Sequence, residues 1–346
     1  MERHQNNFDF LRLLFATFVI ITHSYTLTGL KECDILCQIS NGQMGFSYIG
    51  VKGFFIISGY LIFQSLQRSS TILQYFWKRI LRIYPALIVV LLLTVLLVPF
   101  VYQSSVPFFQ NTQLLKYLPQ NLTLYKPQYG ISGVFESNPH KAVINGSLWT
   151  LPFEFTMYLF IIPLFVFRKK TKLASIILFF VLIASIIAIL FFEEKVESLH
   201  LILSGFHLFD LGCFFLAGSF WASVEIEKFN HKKTMLLAAF VTIIIATYFN
   251  FFNEIKYVVL PFLIILLGLI PVRYIKNIGY KLGDLSYGVY IYAYPVQQTL
   301  LYFYKLNHVQ LMFCTIIISF ILAYFSWHIV EKRALKLKNI PLNLSK

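Results

Sequence analysis

Apolar residues in this chain neither alternate with polar ones nor recur on one face of a short helix; they fill blocks of about twenty. Runs such as Ala86–Val98 and Ile176–Phe192 contain no Asp, Glu, Lys or Arg. A helix needs ~20 such residues to cross ~30 Å of hydrocarbon. A membrane-spanning strand needs only about ten residues, of alternating polarity. Ten segments qualify, at 8–28, 45–66, 80–102, 147–167, 173–192, 200–224, 234–252, 256–272, 282–304 and 309–331. The pattern predicts an all-α polytopic membrane protein, a bundle of about ten transmembrane helices over a single domain, 1–346, with no appended soluble domain. An even count returns both termini to one side. Asp9 and Arg12 near the start of the first segment, with no small-residue cleavage site behind it, mark a retained span and not a cleaved leader.

Composition agrees with the pattern. Of the 346 residues 58% are hydrophobic and 13% charged, against about 25% charged in a soluble domain. A soluble enzyme, a disordered chain and a disulfide scaffold are thereby excluded. A net charge of +14 would point a soluble chain toward nucleic acid. Here the charges must first be placed by side. Twenty-one of the 29 Lys and Arg residues, Arg3 and Lys346 among them, fall in the loops and tails of one side and seven on the other. Basic residues collect in cytoplasmic loops, so both termini are expected in the cytoplasm, with a lipid bilayer and no nucleic acid as partner. The longest connection, about 102–146, is then on the outer side, and a loop of that length is usually functional. It carries two glycosylation-like tripeptides, at Asn121 and Asn145. Cys33 and Cys37, in an outer loop, are the one pair spaced for a local disulfide, and no Cys/His pattern argues for a metal.

Ionisable residues inside spans are costly and are candidate functional groups: Asp9, Arg12, His23, Lys52, Glu154, His207, Asp210, Asp284, His328 and Glu331. Those at span ends, Asp9, Asp284, His328 and Glu331, read more readily as interfacial. Eleven helical steps separate Arg12 from His23, so the two share a face ~16 Å apart along the axis. A lone buried His is more often a hydrogen-bonded core residue than a catalyst. Glu154 lies seven residues, ~10 Å, into the fourth span, a depth similar to that of His23, so the two are expected to meet. A His–Glu pair suits general-base chemistry, the acid orienting the imidazole, although an interhelical hydrogen bond would look the same. Lys78, Arg79 and Arg82 open the third span; they can hold phosphates or simply anchor the helix. Gly50, Gly53 and Gly59 in the second span suit close helix packing, with Lys52 among them less easily explained so.

Several segments together resemble the acyltransferase-3 family of integral membrane acyltransferases. They are Arg12-x10-His23, Gly53-Phe-Phe-Ile-Ile-Ser58-Gly-Tyr60, Arg79-x2-Arg82-Ile83-x-Pro85, Ser147-Leu-Trp149 through Glu154, Leu282-Gly-x-Leu-Ser286-Tyr287-Gly-Val-Tyr290, and Val330-Glu331. In one place the chain departs from the pattern: Ala293 stands where many relatives have His, which throws more weight onto His23.

The resemblance implies a bacterial plasma-membrane enzyme, with both termini inside. It would move an acyl group, usually acetyl, from cytosolic acyl-CoA, a co-substrate and not a bound cofactor, to a hydroxyl of an envelope or exported carbohydrate or glycolipid. In that reading Arg12, Lys78, Arg79 and Arg82 bind the donor, His23 is the base, and Glu154 orients it or anchors the acceptor. Ser147, Trp149, Ser286 and Tyr287 are candidate oxyanion donors, and Lys52 and Ser58 secondary candidates. Direct transfer and an acyl-His intermediate both stay open, as does homo-oligomerisation. A transporter, flippase or polymerase of an envelope glycan is the competing class, since intramembrane Arg, His and Glu also line translocation paths.

Overall fold

The computed structural model describes residues 6–199, 202–276 and 278–339. Arg3, Lys346 and the expected start of the sixth span at residue 200 lie outside them. The ten apolar segments form helices: α1 (Phe8–Leu27), α2 (Phe46–Gln67), α3 (Ile72–Val101), α4 (Leu151–Phe160), α5 (Thr171–Phe191), α6 (Gly205–Ser223), α7 (Lys232–Tyr248), α8 (Phe252–Leu269), α9 (Ser286–Phe303) and α10 (His308–Ser326). No strand occurs among the described residues, only two isolated bridges. Eight of the helical segments there are long and apolar enough to cross a membrane. The two expected spans that fall short are α7, with 17 residues, and α9, with 18. Helix α9 is rich in Tyr and Gln because it is enclosed by protein: residues Ser286–Pro295, Gln297 and Gln298 are all buried. A helix that does not face lipid need not be apolar.

The glycines of the second span do pack helices. A methyl group on Gly59 of α2 would meet the Phe215 carbonyl of α6, and one on Gly218 of α6 would meet the Ile56 carbonyl of α2. Ser219 Oγ donates to Gly59 O at 3.0 Å across the same crossing. Lys52 is buried beside this seam and ion-pairs with Asp210 of α6, whose other oxygen accepts from Tyr257 of α8 at 2.8 Å.

The long 102–146 connection is folded rather than open. It contains the helix Thr112–Leu122 and buries Tyr117, Ile131, Val134, Phe135 and Ile144. It is fastened to α9 through Gln298, whose Nε2 donates to His140 O and Val143 O at 2.7 and 2.6 Å. Asn121 and Asn145 are both buried with their amides donating to backbone carbonyls, so neither is available as a glycan acceptor in the folded chain. Cys33 and Cys37 are joined in a disulfide, in the loop that also touches this cap through Gly29 and Pro139.

Candidate active site

Three spaces follow one another along the axis of the bundle. The first, at the end where the basic loops gather, has a volume of about 370 Å³ and is lined by Arg12, Arg68, Lys78, Arg79, Arg82 and Lys338. No carboxylate lines it among the described residues. Arg79 is held between the rings of Tyr75 and Tyr158, at 5.7 and 5.8 Å, and its Nη2 donates to Ser65 Oγ at 3.2 Å. Its Nε is buried without a hydrogen-bond partner. Lys78 donates to Ser69 Oγ at 3.2 Å, and its charged neighbours are Arg79, Arg68 and Lys338. One wall is the C-terminal segment Leu335–Lys338, which Trp77 pins by an Nε1–H···O bond of 3.1 Å to Leu337.

Arg12 and Arg82 are different, because they share a carboxylate. Asp284 Oδ2 lies 2.8 Å from Arg12 Nη1 and 2.7 Å from Arg82 Nη2, while Oδ1 accepts from Ser286 Oγ at 2.7 Å. This triad ties α1, α3 and the start of α9 together. Asp284, read as an interfacial end residue, is the joint. Ser286 supports it, its hydroxyl being engaged by Asp284, and Tyr287 stands over Arg82 with its hydroxyl donating to Ile83 O at 3.1 Å.

Beyond these arginines the space narrows to a chamber of about 40 Å³, room for a few water molecules at most. Arg12, Ser58 and Arg82 line both it and the basic mouth, and Glu154, Thr150 and Tyr290 line its inner part. Glu154 accepts from Tyr158 Oη and, at 3.4 Å, from Ser58 Oγ. The chamber is closed where Tyr290 Oη and Thr150 Oγ1 bond at 2.9 Å, with Phe54 edge-on to Tyr290 at 5.6 Å.

The third space, about 560 Å³, opens at the opposite end, under the 102–146 cap; its walls include Tyr129, His140, Trp149, His207 and Tyr294. It shares no lining residue with the chamber. Burial pushes the Tyr129 phenol above its ordinary pKa, so it stays neutral. His23 lies behind this wall, its ring T-shaped against Tyr294 at 5.4 Å and its Nδ1 buried without a partner.

The expected His23–Glu154 pair does not form. Glu154 belongs to the arginine end and His23 to the outer cavity, so Glu154 does not orient the imidazole. The cause is a proline. Pro295 has no N–H for the carbonyl four residues back, and that carbonyl, Ile291 O, accepts instead from Asn145 Nδ2 at 3.0 Å. The bond fixes the entry of the fourth segment at the level of Tyr294 and His23, with Gly146 against the Tyr294 ring. From there the chain descends through the 3₁₀ turns Gly146–Thr150, which rise ~2.0 Å per residue against 1.5 Å in an α-helix. Glu154 is therefore carried far below His23.

The other candidates separate as clearly. Ser147 is buried with an unpartnered hydroxyl. Trp149 lines the outer cavity, tilted against His207 at 5.2 Å and edge-on to Phe153 at 5.9 Å. Lys52 lines none of the three spaces; its partner is Asp210. Ala293 is buried among the apolar residues between α1 and α9. Sequence reasoning missed Arg68, Lys338, Tyr158 and Tyr290 as lining residues. The first two stood in the count of basic-side charges, and Tyr158 is one turn beyond Glu154.

Residues 5–328 match the model of an acyltransferase-domain family, acyltransferase-3. The chain is 30% identical over 349 residues to an O-acetyl transferase of Shigella phage Sf6, covering 99% of both proteins. It is 29% identical over 374 residues to nodulation protein 10 of Rhizobium leguminosarum bv. viciae, covering 97% of this chain and 94% of the relative. No solved structure matches. With a family match over nearly its whole length and spanning helices in the expected places, the chain is a multi-pass membrane protein of the acyltransferase-3 family.

Proposed function

We propose that this protein is an O-acetyltransferase. It takes acetyl from acetyl-CoA at the cytosolic face of a bacterial plasma membrane and delivers it to a hydroxyl of an envelope carbohydrate on the outer face. The observation that carries the reading is the carboxylate-free basic mouth leading into a chamber walled by Arg12, Arg82 and Glu154. Four of its cations, Arg68, Lys78, Arg79 and Lys338, have no acidic partner among the described residues. Crowded like charges repel, and a polyphosphate relieves that cost while accepting several charge-assisted hydrogen bonds. Arg12 and Arg82, balanced by Asp284, hold the neck of the passage. Glu154 then faces the donor's pantetheine arm, whose amide N–H groups a carboxylate can accept.

The ~16 Å from Arg12 to His23 matches an extended arm of that kind, so the thioester reaches the imidazole once the Tyr290–Thr150 contact opens. His23, with a free Nδ1, takes the proton of the acceptor hydroxyl as its oxygen attacks the thioester carbonyl. The tetrahedral adduct collapses with cleavage of the C–S bond, and the imidazolium returns the proton to the departing CoA thiolate. The unpartnered Ser147 hydroxyl is the candidate donor to the oxyanion. The family and the O-acetyl transferase relative favour the enzyme over a flippase or polymerase.

The test is mass spectrometry of surface glycans from cells with the gene, without it, and with His23→Ala. Loss of acetyl mass increments with the glycan otherwise intact supports the reading, and loss of the whole glycan refutes it. Labelled acetyl-CoA with purified protein checks the donor: no transfer and no hydrolysis would refute acetyl-CoA.

A further inference from the structure

The outer cavity differs from the mouth in its chemistry. Tyr125, Tyr129, Trp149, Phe153 and Tyr294 give it flat apolar faces, and no Asp, Glu, Lys or Arg is among its described lining residues. Its volume of about 560 Å³ falls within the ~300–1,000 Å³ of small-molecule sites. Trp149, His207 and Phe153 form one aromatic cluster, with each ring 5.2–6.0 Å from the other two.

Tyr125 Oη and Ser204 Oγ accept from Thr156 Oγ1 and His207 N, and the other side-chain polar groups of the cavity are unspent. Among the described residues, Trp149 Nε1, the His140 and His207 rings and the Tyr129 and Tyr294 hydroxyls take part in no hydrogen bond within the protein. A wall of lipid-binding type would carry no such groups, and an anion site would carry cations. Lys126 and Lys141 are near in sequence to Tyr125 and His140, but both are exposed and neither lines the space.

From this we infer that the cavity binds an uncharged pyranose unit. One C–H face of the sugar lies on the Trp149 indole, and its hydroxyls bond to the unpartnered donors and acceptors of the rim, His207 among them. A uronate or sialate carboxylate entering here would leave water for aromatic walls with no Lys or Arg among the described lining residues to meet it, and an unpaired buried charge is strongly disfavoured. Trp149 and His207 are thus specificity-determining residues. The inference rests on the proposed acceptor side of the O-acetyltransferase reading, but its test needs no donor.

Saturation-transfer NMR on the full-length protein in nanodiscs, without acetyl-CoA, is run with the methyl glycosides of glucose, galactose and rhamnose and with methyl glucuronide. At least one neutral glycoside should show transfer, with weakening of tenfold or more in Trp149→Ala and recovery in Trp149→Phe, which keeps a flat ring. The glucuronide should show none. Equal binding of the glucuronide, no transfer to any neutral glycoside, or full binding by Trp149→Ala in a protein that unfolds at the wild-type temperature would each overturn the inference. Because acetyl-CoA is absent, a failure here leaves the donor side untouched. A failure of acetyl-CoA turnover would likewise leave sugar binding standing.

Discussion

Arg79 and Arg82 sit one helical turn apart and belong to one motif, yet the proposed reading gives them opposite tasks, and a pair of alanine variants separates them. Arg79 faces the mouth with no ion-pair partner among the described residues and is already oriented by Tyr75, Tyr158 and Ser65. A hydrogen bond from such a group to a phosphate contributes about 1.5–3 kcal/mol, which is roughly 10- to 150-fold in Kd. Arg79→Ala should therefore weaken CoA binding by that factor and leave the unfolding temperature nearly as it was. Arg82 spends its charge on Asp284, with only 16% and 19% of the two side chains exposed. Removing one partner of a buried pair costs about 3–5 kcal/mol. The lower end applies here, because Arg12 still neutralises Asp284. Arg82→Ala should thus lower the unfolding temperature by several degrees, with a smaller effect on the Kd of the protein that remains folded. Calorimetric titration of CoA into nanodisc-embedded protein, alongside thermal unfolding, reads both quantities. Equal losses of affinity in the two variants with equal stability would refute the division, and an unchanged Kd in Arg79→Ala would return that residue to a simple membrane anchor.

Three further outcomes follow from the same geometry. His23→Ala should lower acetyl transfer by about 10²–10⁴-fold, the usual contribution of a general base, with CoA affinity retained; near-normal turnover would remove the imidazole from the chemistry. Tyr290→Phe deletes one neutral hydrogen bond of about 1 kcal/mol at the closure between chamber and outer cavity. Acceptor-free hydrolysis of acetyl-CoA should then rise about fivefold, and a fall in hydrolysis would show that Tyr290 is not the barrier. Lys52→Met leaves Asp210 buried without its cation and should destabilise the protein by about 3–5 kcal/mol. Its KM for acetyl-CoA, measured on the folded fraction, should not move, and a selective rise in KM would place Lys52 in the donor path after all.

The spans were legible because each is a one-dimensional property: twenty apolar residues must cross the bilayer wherever they end up in the bundle. The motif residues were legible as a set, since Arg12, Arg79, Arg82 and Glu154 do converge on one passage. Partners were not legible. Asp210 was as visible as Lys52, and Asp284 as visible as Arg12, but spacing along the chain says nothing about which helices will be neighbours. Apolarity is the criterion on which α9 falls short, for a related reason, its tyrosines and glutamines being enclosed by α1, α3 and α10 rather than by lipid.

The misplacement of Glu154 shows what depth arithmetic lacks. Counting residues from the apparent end of a span assumes that the segment begins at the membrane surface and rises 1.5 Å per residue. Here the segment begins inside the protein, at a carbonyl that Pro295 leaves free, and its first five residues are 3₁₀. Both departures push Glu154 the same way, toward the arginines. The outcome makes chemical sense in the proposed reaction. A carboxylate hydrogen-bonded to His23 would hold the imidazole near the outer cavity whether or not donor is present. The same carboxylate, lining the narrow chamber with Arg12 and bonded there to Tyr158 and Ser58, leaves His23 to act only on a thioester that has passed Tyr290. Asn145→Ala tests the coupling: with the Ile291 carbonyl released, the fourth segment loses its register against α9. The hydrolysis and transfer rates should then change together, whereas a purely stabilising role for Asn145 would lower the unfolding temperature and leave their ratio fixed.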